Sequence, residues 1–218
     1  MLSELCIQNN KNRFIELVNS ISREGFNKDL LLKYLENTDF YYAPATSKYH
    51  SSFKGGLVEH SLNVYDTLVK LVKDSDLDID EDSIKIVSLF HDISKVNYYE
   101  TYYRNQKVYH ENGTKYDELG RFDWQSVKEY KVIDSTNRFL FYNHEGTSEY
   151  MISSYCPLTL EESVAILHHH GAMSNDSAKD EITAIYNRYP LAVLLHTADL
   201  ISCYILESSE KSIDESSD

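Results

Sequence analysis

The stretch Val87-Ser88-Leu89-Phe90-His91-Asp92-Ile93-Ser94-Lys95, "VSLFHDISK", is an apolar run that ends in a histidine and an aspartate side by side. Ser83 to Lys95 reads as a helix, with Ile84, Val87, His91 and Lys95 near one face and Ile86, Phe90 and Ile93 beside it. The doublet sits at its C-terminal end. An imidazole and a carboxylate are costly to bury without partners, because each loses its water shell. A metal ion is one such partner and a structural hydrogen bond is the other, and this segment alone leaves both open.

On either side of this segment, helical spacing recurs. Asn12 to Ser22 and Lys28 to Asn37 predict two N-terminal helices. "TDFYYAPATSKYHSSFKGG" has turn residues and no period, so it reads as an ordered loop rich in aromatics. From Gly56, the residues Leu57, His60, Val64, Leu68 and Leu71 form one stripe, which directs His60 inward. After the doublet the period changes: residues 97–143 are dense in Tyr, Phe and Trp and contain the turn signal "ENG". This predicts a β-hairpin inserted between helices. Helices resume at Thr147 to Ser153, Thr159 to His170, Asp180 to Tyr189 and Pro190 to Glu207. The expected division is 1–40 as N-terminal helices packed on a core, 41–207 as the main domain with its insertion, and 208–218 as a disordered acidic tail.

The 218 residues suffice for a buried core, and three prolines and seven glycines favour helices over a turn-rich β fold. Cys6, Cys156 and Cys203 are scattered and odd in number, which suggests neither a disulfide framework nor a thiolate zinc site. "MLSELCIQNNKNRF" lacks the marks of a signal peptide, and the apolar run Leu191 to Leu206 is too short for a membrane span and is interrupted by His196 and Asp199. A soluble cytoplasmic protein with no membrane partner is expected. The net charge of −14, concentrated in "KDSDLDIDED" and in "ESSEKSIDESSD" from Glu207, penalises extensive contact with long nucleic acid but leaves room for a local basic groove.

The polar residues on apolar faces now form a set. His60, His91-Asp92, His169 on the stripe of Ala165, and Asp199 on the stripe of Leu191 and Leu195 come from four separate helices. Several such groups directed into one bundle would be left unpaired without a ligand, and bundle cores are a common place for metal sites.

The order His, His-Asp, Asp resembles the HD superfamily of metal-dependent phosphohydrolases, in the blocks "GGLVEHSLNVY", "LFHDISK" and "LLHTADL". "YAPATSKYH" and "HDISKVNYY" look like the small HD hydrolases of phages and prophages. The resemblance implies an all-α HD-domain bundle, here with the inserted hairpin, in which His60, His91, Asp92 and Asp199 hold one divalent cation. It also implies a second ion at His144 and His169, with Asp92 bridging; His170 could serve instead or in addition, and His168 reads as a flank. Lys95 matches the lysine of an HD-x-x-K pattern and would neutralise developing phosphate charge; its alternative is a helix-end lysine favoured by the dipole.

Imidazoles and carboxylates suit Mn, Fe, Co, Ni or Zn, with Mg possible, and one or two such ions per chain are expected. Asp92 and Lys95 are the expected catalytic residues. The expected reaction is hydrolysis of a phosphoester or phosphoanhydride of a small nucleotide, whether mono-, di- or cyclic. The alternatives are 3′–5′ exonuclease action on RNA or single-stranded DNA, and a non-catalytic sensor that binds metal and nucleotide. "HENGTKY" and "HEGTSEY" lack the second histidine of a zinc protease helix, and there is no nucleophile elbow or phosphate-binding glycine loop. His50 and His110 read as surface or loop residues, His196 as a residue that could orient a ligand, and the Tyr-rich insertion as a small core of its own or a base-stacking platform.

Overall fold

A computed structural model describes residues 2–139, 143–171 and 179–207. The expected tail at 208–218 lies outside the described residues. The chain is mostly helical with one small sheet: α1 (Glu4–Ser20), α2 (Lys28–Glu36), α3 (Gly56–Asp74), α4 (Glu81–Phe90), β1 (Tyr99–Tyr109), β2 (Lys115–Asp117), β3 (Gly120–Val132), α5 (His144–Ser153), α6 (Leu160–Leu167), α7 (Lys179–Arg188) and α8 (Pro190–Ile201). No single helix among the described residues is long and apolar enough to cross a membrane; α7 and the segment Pro190–Leu206 reach that length only together, bent by 110°.

α3 and α4 lie at the centre. α3 buries Leu57, His60, Val64 and Leu68, the stripe that its spacing requires, while α4 is buried at every position from Ser83 to Phe90. Phe14 of α1 joins them to the N-terminal helices, its ring 5.8 Å from Phe90 and 5.1 Å from Phe40. α3 starts where the preceding loop crosses it closely. A Cβ on Gly56 would lie 2.0 Å from the Ser51 carbonyl oxygen, so only glycine lets His50 and Ser51 press against the start of the helix that carries His60.

The single helix expected over Ser83 to Lys95 is shorter. α4 ends at Phe90, His91 caps it, Asp92 leaves the helical region at φ −111° and ψ 16°, and a 3₁₀ turn covers Ile93–Lys95. Consecutive residues of an α-helix point about 100° apart. Breaking the helix at Asp92 lets its carboxylate swing towards the ring of its neighbour. α6 likewise ends at Leu167, so His169 follows the helix in a turn that closes on Gly171 at φ +63°.

The insertion has one strand more than a hairpin. Its order is β1-β3-β2, with β1 and β3 antiparallel from Tyr99↔Val132 to Tyr109↔Phe122. "ENG" bridges β1 to β2, and the tight turn falls instead at Glu118-Leu119 between β2 and β3. Gly113 is needed in the β1–β2 connection because a Cβ would come within 2.4 Å of the Phe122 backbone nitrogen. Phe122 is the sheet's one buried hydrophobic residue, ringed by Tyr109 and Trp124.

One polar clamp ties distant segments together. Glu162, fully buried, takes a forked pair of hydrogen bonds from Arg23 at 2.9 and 2.6 Å and one from Ser83 at 2.6 Å, and completes a capping box with Thr159 at the start of α6. Burial favours the neutral acid, yet the Arg23 and Ser83 hydrogen bonds outweigh it and hold the carboxyl below the usual glutamate range. Glu162→Ala should cost about 3–5 kcal/mol in denaturant unfolding, the scale for breaking a buried pair. Because the folded pKa is depressed, the ionic contribution is complete above about pH 4.3 and lost as pH falls through the folded value. The stability gap between wild type and Glu162→Gln should therefore shrink on acidification; a gap that stays constant from neutral to strongly acid pH would refute the clamp.

Candidate metal centre

Five elements deliver the polar set to one place. His60 comes from the middle of α3, His91 and Asp92 from the end of α4, His144 from the first position of α5, His169 and His170 from the turn after α6, and Asp199 from α8. His60, His91, Asp92, His169 and Asp199 are all buried.

The two oxygens of Asp92 divide the cluster. Oδ2 lies 3.6 Å from the Nε2 atoms of both His60 and His91, and His60 Nε2 in turn lies 3.1 Å from His91 Nε2 and 3.2 Å from Asp199 Oδ1. Oδ1 lies 3.8 Å from the Nε2 atoms of both His144 and His169. Asp199 repeats the division, since its Oδ2 is 3.7 Å from His170 Nε2. Ligands bind such cations at about 2.0–2.3 Å, so two ligand atoms of one ion sit roughly 3 Å apart. The observed spacings fit a shared ion on each side of Asp92.

The outward ring nitrogens explain why the inward ones are lone pairs. His91 Nδ1 donates to the Ser88 carbonyl at 2.9 Å and His169 Nδ1 to the Ile166 carbonyl at 2.7 Å. His60 Nδ1 faces the Glu207 carboxylate at 3.2 Å, His144 Nδ1 lies 3.2 Å from Glu145 Oε2, and His170 Nδ1 donates to Glu145 Oε1 at 2.9 Å. A carbonyl can only accept, so it sets the tautomer and aims the bare Nε2 at the centre. Burial pushes the pKa of His91, His144 and His169 down, His144 to about 4, which keeps these rings neutral.

Neutral lone pairs therefore face carboxylate oxygens, acceptor against acceptor. Asp92 Oδ1, His144 Nε2 and His169 Nε2 are buried with no hydrogen-bond partner among the described residues, and they converge on one another. Such orphaned acceptors are costly unless a cation lies between them. On the other side the chain itself supplies positive charge, from Lys95 and from a proton on His60 that a bound cation would displace. Burial opposes a charge on His60, but Glu207 and Asp199 outweigh it and raise its pKa to about 10; Lys95 Nζ sits 2.6 Å from Asp92 Oδ2. The Asp92 carboxyl is held well below the usual range despite its burial, chiefly by Lys95 and then by the histidines. The donor set fits one or two divalent cations in which imidazole dominates.

Lys95 does not stand one helical turn from His91 as its spacing suggested; the 3₁₀ turn places it directly on Asp92. His50, expected on the surface or in a loop, is in the loop but faces inward, its ring 5.3 Å from that of His60 and its Nε2 3.3 Å from Cys203 Sγ. Cys203 also donates to Asp199 Oδ1 at 3.3 Å. His196 acts on a backbone: its Nδ1 donates to the His169 carbonyl at 2.6 Å and so holds the turn that presents His169. His168 flanks that turn, and His110 is remote, paired with Asp123 on the sheet.

Two carboxylates were not legible as site residues. Glu145 was visible only beside His144, in a pattern that excluded a zinc protease. Glu207 opens the acidic stretch "ESSEKSIDESSD", yet its side chain is 3% exposed and anchors His60, Asn63 and Ser51. The available signals were weak: Asn63 and Cys203 follow His60 and Asp199 at helical steps of three and four.

Metal-replete protein should carry two ions per chain by elemental analysis, falling to about one in His144→Ala and to none in Asp92→Ala. Metal bound only to the folded state adds about 2.7 kcal/mol at a free concentration 100 times Kd, so chelation should lower the Tm of wild type but not of Asp92→Ala. Equal metal in wild type and Asp92→Ala would remove Asp92 from the centre.

A family model for the HD domain matches residues 57–199, more than half of the chain, and spans the cluster from α3 to Asp199. No curated protein and no solved structure matches the chain at a significant level. With its histidine and aspartate cluster within that matched span, the chain belongs to the HD domain family, within a superfamily of metal-dependent phosphohydrolases.

Proposed function

We propose that the protein hydrolyses a phosphoester or phosphoanhydride bond of a nucleotide at this cluster, with His60, His91, Asp92 and Asp199 holding one divalent cation and His144, His169 and the shared Asp92 a second, His170 supplementing them. The observation that carries the reading is the convergence of orphaned Asp92 Oδ1, His144 Nε2 and His169 Nε2 beside a lysine. Bound divalent cations would supply a nucleophilic water at neutral pH and charge against the phosphoryl oxygens. Mn, Fe, Co, Ni, Zn and Mg all remain candidates for this set.

The chain's own groups do the rest. The cluster is sealed at His60, His91 and His169 and open at His144 and His170, whose side chains are 28% and 40% exposed, so substrate enters from that side. Lys95, 13% exposed, brings a fixed ammonium to the same carboxylate that the histidines share. Charge that grows on a phosphoryl oxygen during in-line attack meets this preorganised donor, which acts on the transition state more than on the bound substrate. Glu145 restrains His144 and His170 at the entrance.

The test is an activity screen of the full chain against nucleotides and generic phosphodiesters with each of the six metals in turn. Turnover of a nucleotide that is abolished in Asp92→Ala is the expected result; nucleotide binding without turnover under every metal would leave a sensor module. Lys95→Ala should retain metal and lose on the order of 10²-fold in kcat, with a smaller change in KM. Lys95→Arg should rescue only in part, since its planar fork differs from a compact ammonium. Near-normal kcat in metal-verified Lys95→Ala would return the lysine to a structural partner of Asp92.

A further inference from the structure

The histidines form a row. Ring centroids step 5.3 Å from His50 to His60, 5.2 Å to His91, 4.9 Å to His169 and 5.5 Å to His144. His144 stands at the entrance; His50 is the other end of the row, half-buried, and has no part in holding the two ions described above. Beside it lies Cys203, also half-buried, with Sγ 3.3 Å from His50 Nε2 and 3.3 Å from Asp199 Oδ1. His50, Cys203 and His60 each bring one donor atom to within 4.8 Å of the other two. With metal bonds of about 2.3 Å to sulfur and about 2.0 Å to imidazole, two ligand atoms of one tetrahedral ion lie roughly 3.5 Å apart. The sulfur and the His50 nitrogen already have that spacing. Scattered cysteines predict no thiolate zinc site, and only packing supplies the missing donors, as histidines.

Two departures from regular backbone hold this arrangement. α8 gives way to a π-turn over Ser202–Leu206, closed by the Glu207 N–H on the Ser202 carbonyl at 2.9 Å. In an α-helix each step of four residues drifts by about 40°, so residues 199, 203 and 207 would fan out by about 80°. The wider turn returns Cys203 to Asp199 and Glu207 to His60. Such turns occur frequently at functional sites. Across from it, Ser51 holds a left-handed φ of 45°, a conformation that costs a residue with a Cβ, and its hydroxyl donates to Glu207 at 2.8 Å. Thr46 donates to the His50 carbonyl at 2.8 Å. Loop and turn are both bent where they bring an imidazole and a thiol together.

We propose that His50 and Cys203, with His60, form a third cation site, distinct from the two divided by Asp92, that takes a thiophilic divalent ion such as Zn²⁺ or Cd²⁺ and inhibits the protein when filled. Thiolate with imidazole selects such ions over Mg²⁺ and Mn²⁺. As the bond from Sγ to the cation forms, the thiol proton now directed at Asp199 passes to solvent and its electron pair stays on sulfur. The third ion draws on His60, a ligand of the first, and sets a like charge beside it; both weaken the hold on the first ion. The site itself is independent of the hydrolytic reading, whereas the inhibition rests on it.

The test uses the full chain with Cd²⁺ and Co²⁺ as probes. Elemental analysis after dialysis against excess Cd²⁺ should give three ions per chain in wild type and two in Cys203→Ser and in His50→Ala, against two in wild type loaded with Mn²⁺. The two ions that remain show that each variant has folded, and Cys6 and Cys156 are present throughout. Wild type saturated with Co²⁺ should show a thiolate-to-cobalt charge-transfer band in the near ultraviolet that Cys203→Ser lacks. An unchanged Cd²⁺ count in Cys203→Ser, or no thiolate band in wild type, overturns the site. So do two Cd²⁺ ions in wild type with the band present, which would make Cys203 a ligand of the first ion instead. Added Cd²⁺ should inhibit turnover of a phosphoester by the Mn²⁺-loaded protein, and Cys203→Ser should need on the order of tenfold more for half-inhibition. Equal sensitivity overturns the inhibitory role. If no phosphoester is turned over under any metal while the third ion still depends on Cys203, the hydrolytic reading fails and the site stands.

Discussion

A buried carboxylate whose two oxygens must both be satisfied organises this molecule. Asp92 is 2% exposed, and each of its oxygens faces a different pair of imidazole nitrogens. Burying that charge is tolerable only where positive charge surrounds it, and without a bound ion the chain supplies it on one side only, from Lys95 and from His60, whose proton a cation would displace. The remaining electrostatic demand lies at Oδ1, among neutral rings. Helix ends, loop crossings and outward hydrogen bonds can all be understood as ways of holding that imbalance in place.

The groups that hold it are largely backbone and acidic side chains outside the cluster. The Ser88 and Ile166 carbonyls orient His91 and His169 through local geometry, three residues back along the chain in each case. Glu207 does the same for His60 from a distance in sequence, and Glu145 for its neighbour His144 and for His170, 25 residues on. Rings fixed in this way lose little freedom when a ligand binds, which favours affinity by preorganisation. Stability is supplied elsewhere, by the aromatic packing of Phe14, Phe40 and Phe90 and by the Arg23–Glu162 clamp. The core can therefore tolerate an electrostatically frustrated centre.

The loop between α2 and α3 brings His50 to within 5.3 Å of His60, ring to ring. The insertion takes little part in the core: its long β1–β3 ladder projects a mostly exposed surface, with Phe122 its one buried hydrophobic residue.

Much was legible in the residues themselves. Apolar stripes marked α3, α4 and α8, because burial of a helix face leaves a 3.6-residue period, and the same stripes showed that His60, His91 and Asp199 point inward. The HD blocks indicated the family. Strand periodicity announced a β insertion, though not the pairing β1-β3-β2, which depends on contacts between strands rather than on any one turn. Tertiary structure alone decided the rest. The break of α4 after Phe90 joins His91, Asp92 and Lys95 into one electrostatic unit, and a pattern of apolar residues is blind to where a helix stops. Glu145, Glu207 and His50 acquire their roles from partners up to 156 residues away in the chain; local periodicity encodes which side of an element is buried, whereas what it is buried against is settled only when the elements pack.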